Sequence, residues 1–332
     1  MHNAKLRDTI ILHSTFCILH LLDKGVHTME DILIIGGGPA GLTAAIYAAR
    51  AGKTVTVCEK ESFGGQITQA HQVDNYPALP GISGLELGDK LCAQAMDAGA
   101  QVAFCSVNSL VQNTGGTFTL DTDDGPMEAR TVIFAGGAKP RPLAVDREAD
   151  LVGQGVNYCA LCDGAFFQDQ DVAVIGGGNT AFSDALLLAE ICRSVTLVHR
   201  RAGFRAELPL IRAAEQTANL HILTPRTVSA LVGGEQVEGL ILQNPETGEA
   251  QTLAVQAVFA ALGRVPDCSL LAGLADLDAA GYAASDEGCR TKTPGLFVAG
   301  DCRAKAIRQL TTAAADGTVA AMAACEYLNQ MP

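Results

Sequence analysis

Two cysteines separated by two residues form the most reactive pattern in this sequence. They are Cys159 and Cys162, and a carboxyl side chain, Asp163, follows the second one directly. This spacing lets both sulfurs meet within one turn of backbone and close a reversible disulfide, and a helix start there would lower the pKa of one thiol. Thiol–disulfide exchange also takes up and releases protons, so an adjacent acid is a candidate general acid/base. The pattern predicts a redox-active pair with Asp163 as its proton carrier.

Two other roles fit the same cysteine spacing. Half of a zinc site would need further ligands, but the sequence contains no second Cys-x-x-Cys and no His-x-x-x-His, so we predict no metal site. Two buried structural thiols are the other alternative on spacing alone. The remaining cysteines of the eleven are scattered without paired spacing, which is typical of a protein kept reduced in the cytoplasm.

Length and composition indicate a compact α/β protein of about two domains. The chain has 332 residues, of which 48% are hydrophobic and 18% charged, with 35 glycines. Its formal net charge of -13 disfavours nucleic acid and anionic membranes as partners, because an acidic surface repels both. From residue 29 onward no apolar run is long enough to span a membrane.

The first 28 residues do not match the pattern of the rest. Lys5 and Arg7 precede a patchy apolar run over residues 9–22, which polar residues interrupt, and no small-x-small cleavage site follows. Met29 stands directly before the first clear strand. We interpret residues 1–28 as a dispensable leader, with a targeting segment or a membrane-surface helix as the alternatives.

A dinucleotide-binding pattern begins at the predicted strand Ile32–Ile35. In the turn that follows, Gly36 makes the tight bend, Gly38 lets the backbone approach a pyrophosphate, and Gly41 lets the helix pack on the strand. The next predicted strand ends in Glu59, about 20 residues further on, where an acid binds ribose hydroxyls. This context makes the pattern a strong indication of a nucleotide site.

The same arrangement recurs after the cysteine pair, with one difference that bears on the cofactor. The strand Val172–Ile175 leads into a second glycine-rich turn, in which Ala181 replaces the third glycine. Where the first copy has Glu59, the second has a basic cluster. Guanidinium groups bind a 2′-phosphate, whereas an acid would repel it. The second site is therefore predicted to prefer NADPH to NADH through His199, Arg200, Arg201 and Arg205. The alternative is a solvated basic turn.

The two copies predict an α/β fold with two Rossmann-like three-layer nucleotide-binding domains, the second inserted in the first. Turn-rich stretches at residues 135–140 and 263–267 mark the predicted crossings. The first domain is expected to comprise residues 29–140 and 264–332. The second, residues 141–263, carries the cysteine pair.

The order of these motifs resembles that of the low-molecular-weight bacterial thioredoxin reductases. The likeness covers nearly everything from Met29 to Tyr327 and rests on both glycine-rich turns, Gly64-Gly65-Gln66, Cys-x-x-Cys-Asp-Gly, the basic cluster, and Gly300-Asp301 with Arg308-Gln309. The resemblance implies that residues 29–140 and 264–332 bind FAD and that residues 141–263 bind NADPH.

The resemblance also implies which residues contact each cofactor. For FAD they are Gly36, Gly38, Pro39, Ala40, Gly41, Glu59, Gly65, Gln66, Asn75, Gly300, Asp301, Arg308 and Gln309. For NADPH they are Gly176, Gly178, Asn179, Thr180, Ala181, His199, Arg200, Arg201 and Arg205.

The function implied is the transfer of electrons from NADPH through FAD and the Cys159–Cys162 disulfide to thioredoxin or a thioredoxin-like protein, in a homodimer. One alternative is a flavin-dependent dithiol oxidase, or a reductase of another small disulfide partner. Such an oxidase needs no NADPH, so the basic cluster argues against it. A nucleotide-sensing protein without catalysis is another, and the retained Cys159, Cys162 and Asp163 argue against it.

Overall fold

Strands and helices alternate along the chain in a computed structural model, which describes residues 29–70 and 72–331. The proposed leader, residues 1–28, lies outside the described residues. The elements up to the cysteine pair are β1 (Glu30–Ile35), α1 (Pro39–Arg50), β2 (Val55–Glu59), α2 (Gly84–Asp97), β3 (Gln101–Phe104), β4 (Val107–Gln112), β5 (Phe118–Thr122), β6 (Gly125–Phe134), β7 (Ala138–Pro140), β8 (Val156–Asn157) and α3 (Ala160–Asp163).

The remaining elements continue the alternation and add an antiparallel sheet. They are β9 (Asp171–Ile175), α4 (Asn179–Ala189), β10 (Ser194–Val198), α5 (Leu208–Gln216), β11 (Leu220–Leu223), β12 (Thr227–Val232), β13 (Gly239–Gln243), β14 (Ala250–Ala254), β15 (Ala257–Ala260), β16 (Arg264–Pro266), β17 (Leu296–Val298) and α6 (Leu310–Gln330).

The described chain folds into two units. Unit one contains the described residues up to Thr68, then Gly84–Gly137 and the part from Pro266 onward, while unit two contains Gln69–Ser83 and Ala138–Val265. The sequence-based domain limits fall within a few residues of the breaks after Gly137 and Val265. The grouping of Gln69–Ser83 with unit two was not predicted.

Unit one is built on a seven-stranded sheet of order β3-β2-β1-β6-β5-β4, with β17 added beside β6. Successive residues of β1 point to opposite faces, as in any strand. Ile32 and Ile34 are buried in a core with α1 and α6. Leu33 and Ile35 are buried on the other face with Phe118 and other residues of β5 and β6. Because both faces are covered there, the Ile32–Ile35 part of β1 is continuously apolar.

Helices α1 and α6 cross closely in this unit. A Cβ atom on Gly317 of α6 would lie 2.2 Å from the carbonyl oxygen of Ala40 in α1. Only glycine permits this approach, which brings the final helix against the first glycine-rich turn.

Unit two is built on a parallel five-stranded sheet of order β11-β10-β9-β15-β8, and β12, β13 and β14 form a separate antiparallel sheet. Val172 and Val174 of β9 pack with residues of α4 and α5. Ala173 and Ile175 pack on the opposite side with Leu240 and other residues of the antiparallel sheet. Both units thus have the Rossmann-like arrangement that the two sequence copies predict.

Candidate active site

The predicted redox pair is joined in the structure. Cys159 and Cys162 form a disulfide with their Cα atoms 5.3 Å apart. Cys159 is the N-cap residue of the short helix α3, and the backbone N–H of Cys162 donates to the Cys159 sulfur over 3.2 Å. A donor aimed at this sulfur stabilises a negative charge on it, so the local backbone favours the Cys159 thiolate once the disulfide is opened.

Asp163 is the last residue of α3 and is largely buried. Burial raises the pKa of its carboxyl group from 3.8 to about 6, because a charged carboxylate loses hydration there. The backbone N–H of Asp163 donates to the carbonyl oxygen of Cys159 over 3.0 Å, which ties the acid to the cysteine turn. The carboxyl group can therefore hold a proton at a pH close to neutral, as the predicted role requires.

The first glycine-rich turn has the backbone that the pattern predicts. Gly36 has φ +107°, and a Cβ atom there would lie 2.4 Å from the Ala135 carbonyl oxygen. A Cβ atom on Gly41 would lie 1.9 Å from the Gly36 carbonyl oxygen, whereas nothing lies within 4 Å of one on Gly38. The turn is closed on the strand side and open at Gly38, so a phosphate group has room to approach the backbone.

The predicted acid at the end of β2 meets this turn. Glu59 Oε2 accepts a hydrogen bond of 2.6 Å from the backbone N–H of Gly37, and its Oε1 accepts one of 2.7 Å from Glu61 N–H. Both carboxylate oxygens are fixed by the backbone beside the open turn.

Two distant segments join the first turn within unit one. The N–H of Gly64 donates to the Gly37 carbonyl oxygen over 2.8 Å, and a Cβ atom on Gly65 would lie 3.1 Å from Gly38 Cα, so Gln66 follows beside the turn. A Cβ atom on Gly300 would lie 2.8 Å from Ala40 Cβ.

The remaining predicted FAD residues of unit one lie along the chain after Gly300. Arg308 Nε donates to the Asp301 carbonyl oxygen over 3.1 Å, its guanidinium stacks 3.9 Å from the centre of the Tyr282 ring, and Gln309 caps α6. Asn75 is the exception, because it belongs to unit two, where its Nδ2 lies 4.0 Å from Cys162 Sγ.

An acid that the sequence reasoning missed holds the Gly300 turn. Asp316 Oδ2 accepts a hydrogen bond of 3.0 Å from the Gly300 N–H, and the same carboxylate contacts Arg303 and, at 2.8 Å, Lys305. The signal was present, because Asp316 is a charged residue within the run of small residues in the first half of α6.

The second glycine-rich turn repeats the geometry of the first. Nothing lies within 4 Å of a Cβ atom on Gly178, but one on Gly177 would lie 2.4 Å from the imidazole of His199. The predicted His199 is therefore packed directly on the turn. Burial is the largest of the effects on its pKa, which is lowered, and the charges of the nearby arginines act in the same direction.

The basic loop is fastened to this turn by residues on both sides. Arg205 N–H donates to the Gly177 carbonyl oxygen over 2.8 Å, and Asn179 exchanges two hydrogen bonds, of 3.0 and 2.9 Å, with Glu207. The side chains of Arg200, Arg201 and Arg205 are exposed. Sequence reasoning did not identify Glu207, whose contact with Asn179 spans two elements.

The residues of each unit thus fit a dinucleotide. Each unit presents an open, glycine-lined turn at the start of a helix, with an acid at the end of the next strand in unit one and exposed guanidinium groups there in unit two. The first suits a ribose hydroxyl and the second a 2′-phosphate.

Comparisons with known proteins agree with this geometry. The model of the family described as pyridine nucleotide-disulphide oxidoreductase matches residues 30–317. The chain is 43% identical over 306 residues to a bifunctional thioredoxin reductase/thioredoxin of Mycobacterium leprae, covering 91% of this chain and 67% of that protein. It is 38% identical to a thioredoxin reductase of Treponema pallidum, covering 92% of this chain and 99% of that one.

A solved structure shows the same fold. The thioredoxin reductase from Streptococcus pyogenes superposes with a TM-score of 0.86 at 37% identity, covering 92% of this chain and all of that one. The chain belongs to the pyridine nucleotide-disulphide oxidoreductase family. The predicted class, a flavoprotein disulfide reductase with FAD and NADPH as cofactors, and the resemblance to the low-molecular-weight thioredoxin reductases are confirmed.

Proposed function

We propose that the chain reduces thioredoxin or a thioredoxin-like protein with electrons from NADPH, which pass through FAD and the Cys159–Cys162 disulfide. The single observation that carries this proposal is the closed disulfide with the buried acid Asp163 beside it. A structural disulfide needs no such acid, whereas a disulfide that opens and closes needs a proton source.

The cysteine turn supplies the exchange chemistry. Opening the disulfide takes up two electrons and two protons and leaves two thiols. Asp163 can deliver a proton to one sulfur, because its pKa of about 6 keeps part of the carboxyl groups protonated near neutral pH. The Cys162 N–H stabilises the remaining charge on Cys159 Sγ. The re-formed dithiol then reduces the partner's disulfide by exchange through a mixed disulfide.

The nucleotide turns supply binding and orientation, while bound FAD supplies two-electron transfer between NADPH and the disulfide. In unit one the open Gly38, the fixed Glu59 and the Gly300-Asp301 turn are proposed to hold FAD, with the other FAD residues predicted from the sequence. In unit two Gly178 and His199 are proposed to hold NADPH, and Arg200, Arg201 and Arg205 its 2′-phosphate.

The assembly and location are also proposals. A homodimer is supported by exposed apolar side chains on the outer helices of unit one, namely Tyr47 on α1 and Val319 and Met322 on α6. Light scattering on the purified protein tests it, and a monomer at micromolar concentration would contradict it. Among the described residues no helix combines the length and apolar character needed to cross a bilayer. The buried, unpaired thiols Cys268, Cys289 and Cys302 support a reducing compartment such as the cytoplasm.

The deciding experiment separates the two half-reactions. Anaerobic NADPH is expected to bleach the flavin colour of the protein, and oxidised thioredoxin is expected to restore it. The Cys162→Ser variant should still be bleached by NADPH but should reduce thioredoxin at a negligible rate, since it cannot form the intramolecular disulfide. Bleaching by NADPH without transfer to any thioredoxin-like protein would refute the proposal in favour of a reductase of another small disulfide partner. Oxygen uptake with a small dithiol alone would refute it in favour of an oxidase.

A further inference from the structure

Three sulfur atoms meet in unit one, away from the redox pair. Cys58 is the fourth residue of β2, Cys105 follows β3 directly, and Met127 is the third residue of β6. The Cys58 thiol lies 3.8 Å from Met127 Sδ, and it interacts with the Cys105 thiol in the same buried core. Neither the reaction nor the nucleotide sites described above use these three side chains.

The surroundings of this sulfur cluster combine burial with a route of entry. The two cysteines are only 2% and 3% exposed. Met127 is partly exposed at the edge of the same core. The Thr122 side chain hydrogen-bonds to Cys105. A metal site needs ligands, a neighbour that orients them and a path for the ion. Here the two buried cysteines would be ligands, Thr122 would orient Cys105, and the partly exposed Met127 would give access.

The spacing of the sulfurs matches that of sulfurs that share a metal. With metal–sulfur bonds of about 2.3 Å, two sulfurs on one trigonal or tetrahedral ion lie about 3.8–4.0 Å apart. The measured Cys58–Met127 separation of 3.8 Å lies at this value. The two thiols also interact directly with each other, and a metal bridging them would replace that interaction.

The type of ligand selects the ion. Zinc in closed sites takes four ligands from cysteine, histidine and carboxylates, and among residues 29–70 and 72–331 no group of three or more such side chains is arranged to hold a metal. Two thiolates with a thioether are instead the ligands that select Cu(I). We propose that Cys58, Cys105 and Met127 form a binding site for a soft monovalent metal ion, with Cu(I) as its biological occupant.

Binding is written as two thiols and one Cu(I) giving one copper bis-thiolate and two released protons, with the thioether of Met127 completing the coordination. No electron is transferred, so no oxidant or reductant is needed. The nearby carboxylates Asp123 and Asp124 act on both thiols and attract the incoming cation.

The test titrates the oxidised, FAD-loaded protein anaerobically with Cu(I), supplied as its acetonitrile complex, against a coloured Cu(I) chelator. No reductant is added, so that the Cys159–Cys162 disulfide stays closed and does not compete. We expect one tightly held equivalent, with X-ray absorption showing three sulfur neighbours. No tight equivalent, or oxygen and nitrogen neighbours only, would overturn the proposal.

Met127→Leu is the decisive variant, because it keeps both thiols and the side-chain volume. It should bind Cu(I) roughly 10–100-fold more weakly, as when a partner in a metal site is lost, and with two sulfur neighbours. Cys58→Ser should lose the site. The control Cys325→Ser removes a buried thiol of the other core and should bind as the wild type does. Wild-type affinity in Met127→Leu would refute the site even if Cys58→Ser failed to fold, and flavin colour reports folding throughout.

Discussion

Asp163 shows how one residue's surroundings set its chemistry. Its carboxyl group titrates at about 6 because it is buried beside the cysteine turn, whereas an exposed aspartate titrates near 4. A raised pKa means that the protonated form, the one able to donate, becomes scarcer as the pH rises through about 6. Reduction of the disulfide should therefore slow above that pH.

Replacing Asp163 with asparagine should slow electron passage to the disulfide by roughly 10²–10⁴-fold, because the proton carrier is lost. Bleaching of the flavin by NADPH should stay fast. Stopped-flow absorbance at several pH values checks both, and the decline above pH 6 should disappear in the variant. Thioredoxin reduction at the wild-type rate would show that another group carries the proton.

The exposed arginines of unit two should decide between the two nicotinamide nucleotides. Arg200→Ala combined with Arg201→Ala removes charged contacts worth roughly 1.5–3 kcal/mol each. The KM for NADPH should rise steeply while that for NADH changes little. Arg212→Ala, which removes an exposed guanidinium of α5, serves as the control. Equal losses for both nucleotides would mean that the 2′-phosphate is bound elsewhere.

At the scale of elements, helix α4 contains an acid whose charged form lowers the stability of the folded protein. Asp184 is largely buried, and burial raises its pKa from 3.8 to about 6. The folded chain then holds a proton that the unfolded chain has lost between pH 4 and 6. The stability that protonated Asp184 contributes at low pH is thus lost as the pH rises through this interval.

Asp184→Asn should consequently stabilise the protein at pH 7, by up to about 3 kcal/mol. At pH 4 the stability of the variant should differ little from that of the wild type. Thermal unfolding at both pH values measures this difference. Asp150→Asn, on the exposed side of the same unit, should have no such effect. A destabilised Asp184→Asn protein at pH 7 would mean that the carboxylate is stabilised by a contact.

On the scale of the whole molecule, the leader should be dispensable. Deletion of residues 1–28 should leave flavin content and turnover unchanged, because the first strand of the FAD-binding turn begins at Glu30. The ratio of flavin to protein absorbance and the NADPH oxidation rate check this. A colourless or insoluble truncated protein would show that the segment contributes to folding.

The parallel strands and glycine-rich turns could be predicted because burial on both faces leaves continuous apolar runs, such as Ile32–Ile35 and Val172–Ile175. The strands β4, β12 and β14 were missed, since their mixed, partly exposed residues carry no such pattern. Helix α5 was missed because only Ala214 of it is fully buried. Asp316 and Glu207 act through contacts between distant segments, which local pattern does not record.

The chain enters and leaves most of unit two at one place. Strands β7 and β16 pair with each other, and the N–H of Arg141 donates to the Gly263 carbonyl oxygen over 2.8 Å. Bridging two ends that already touch costs little chain entropy. Residues 141–263 therefore form an insert whose two ends meet, so a segment with another nucleotide preference could replace them through two short joints.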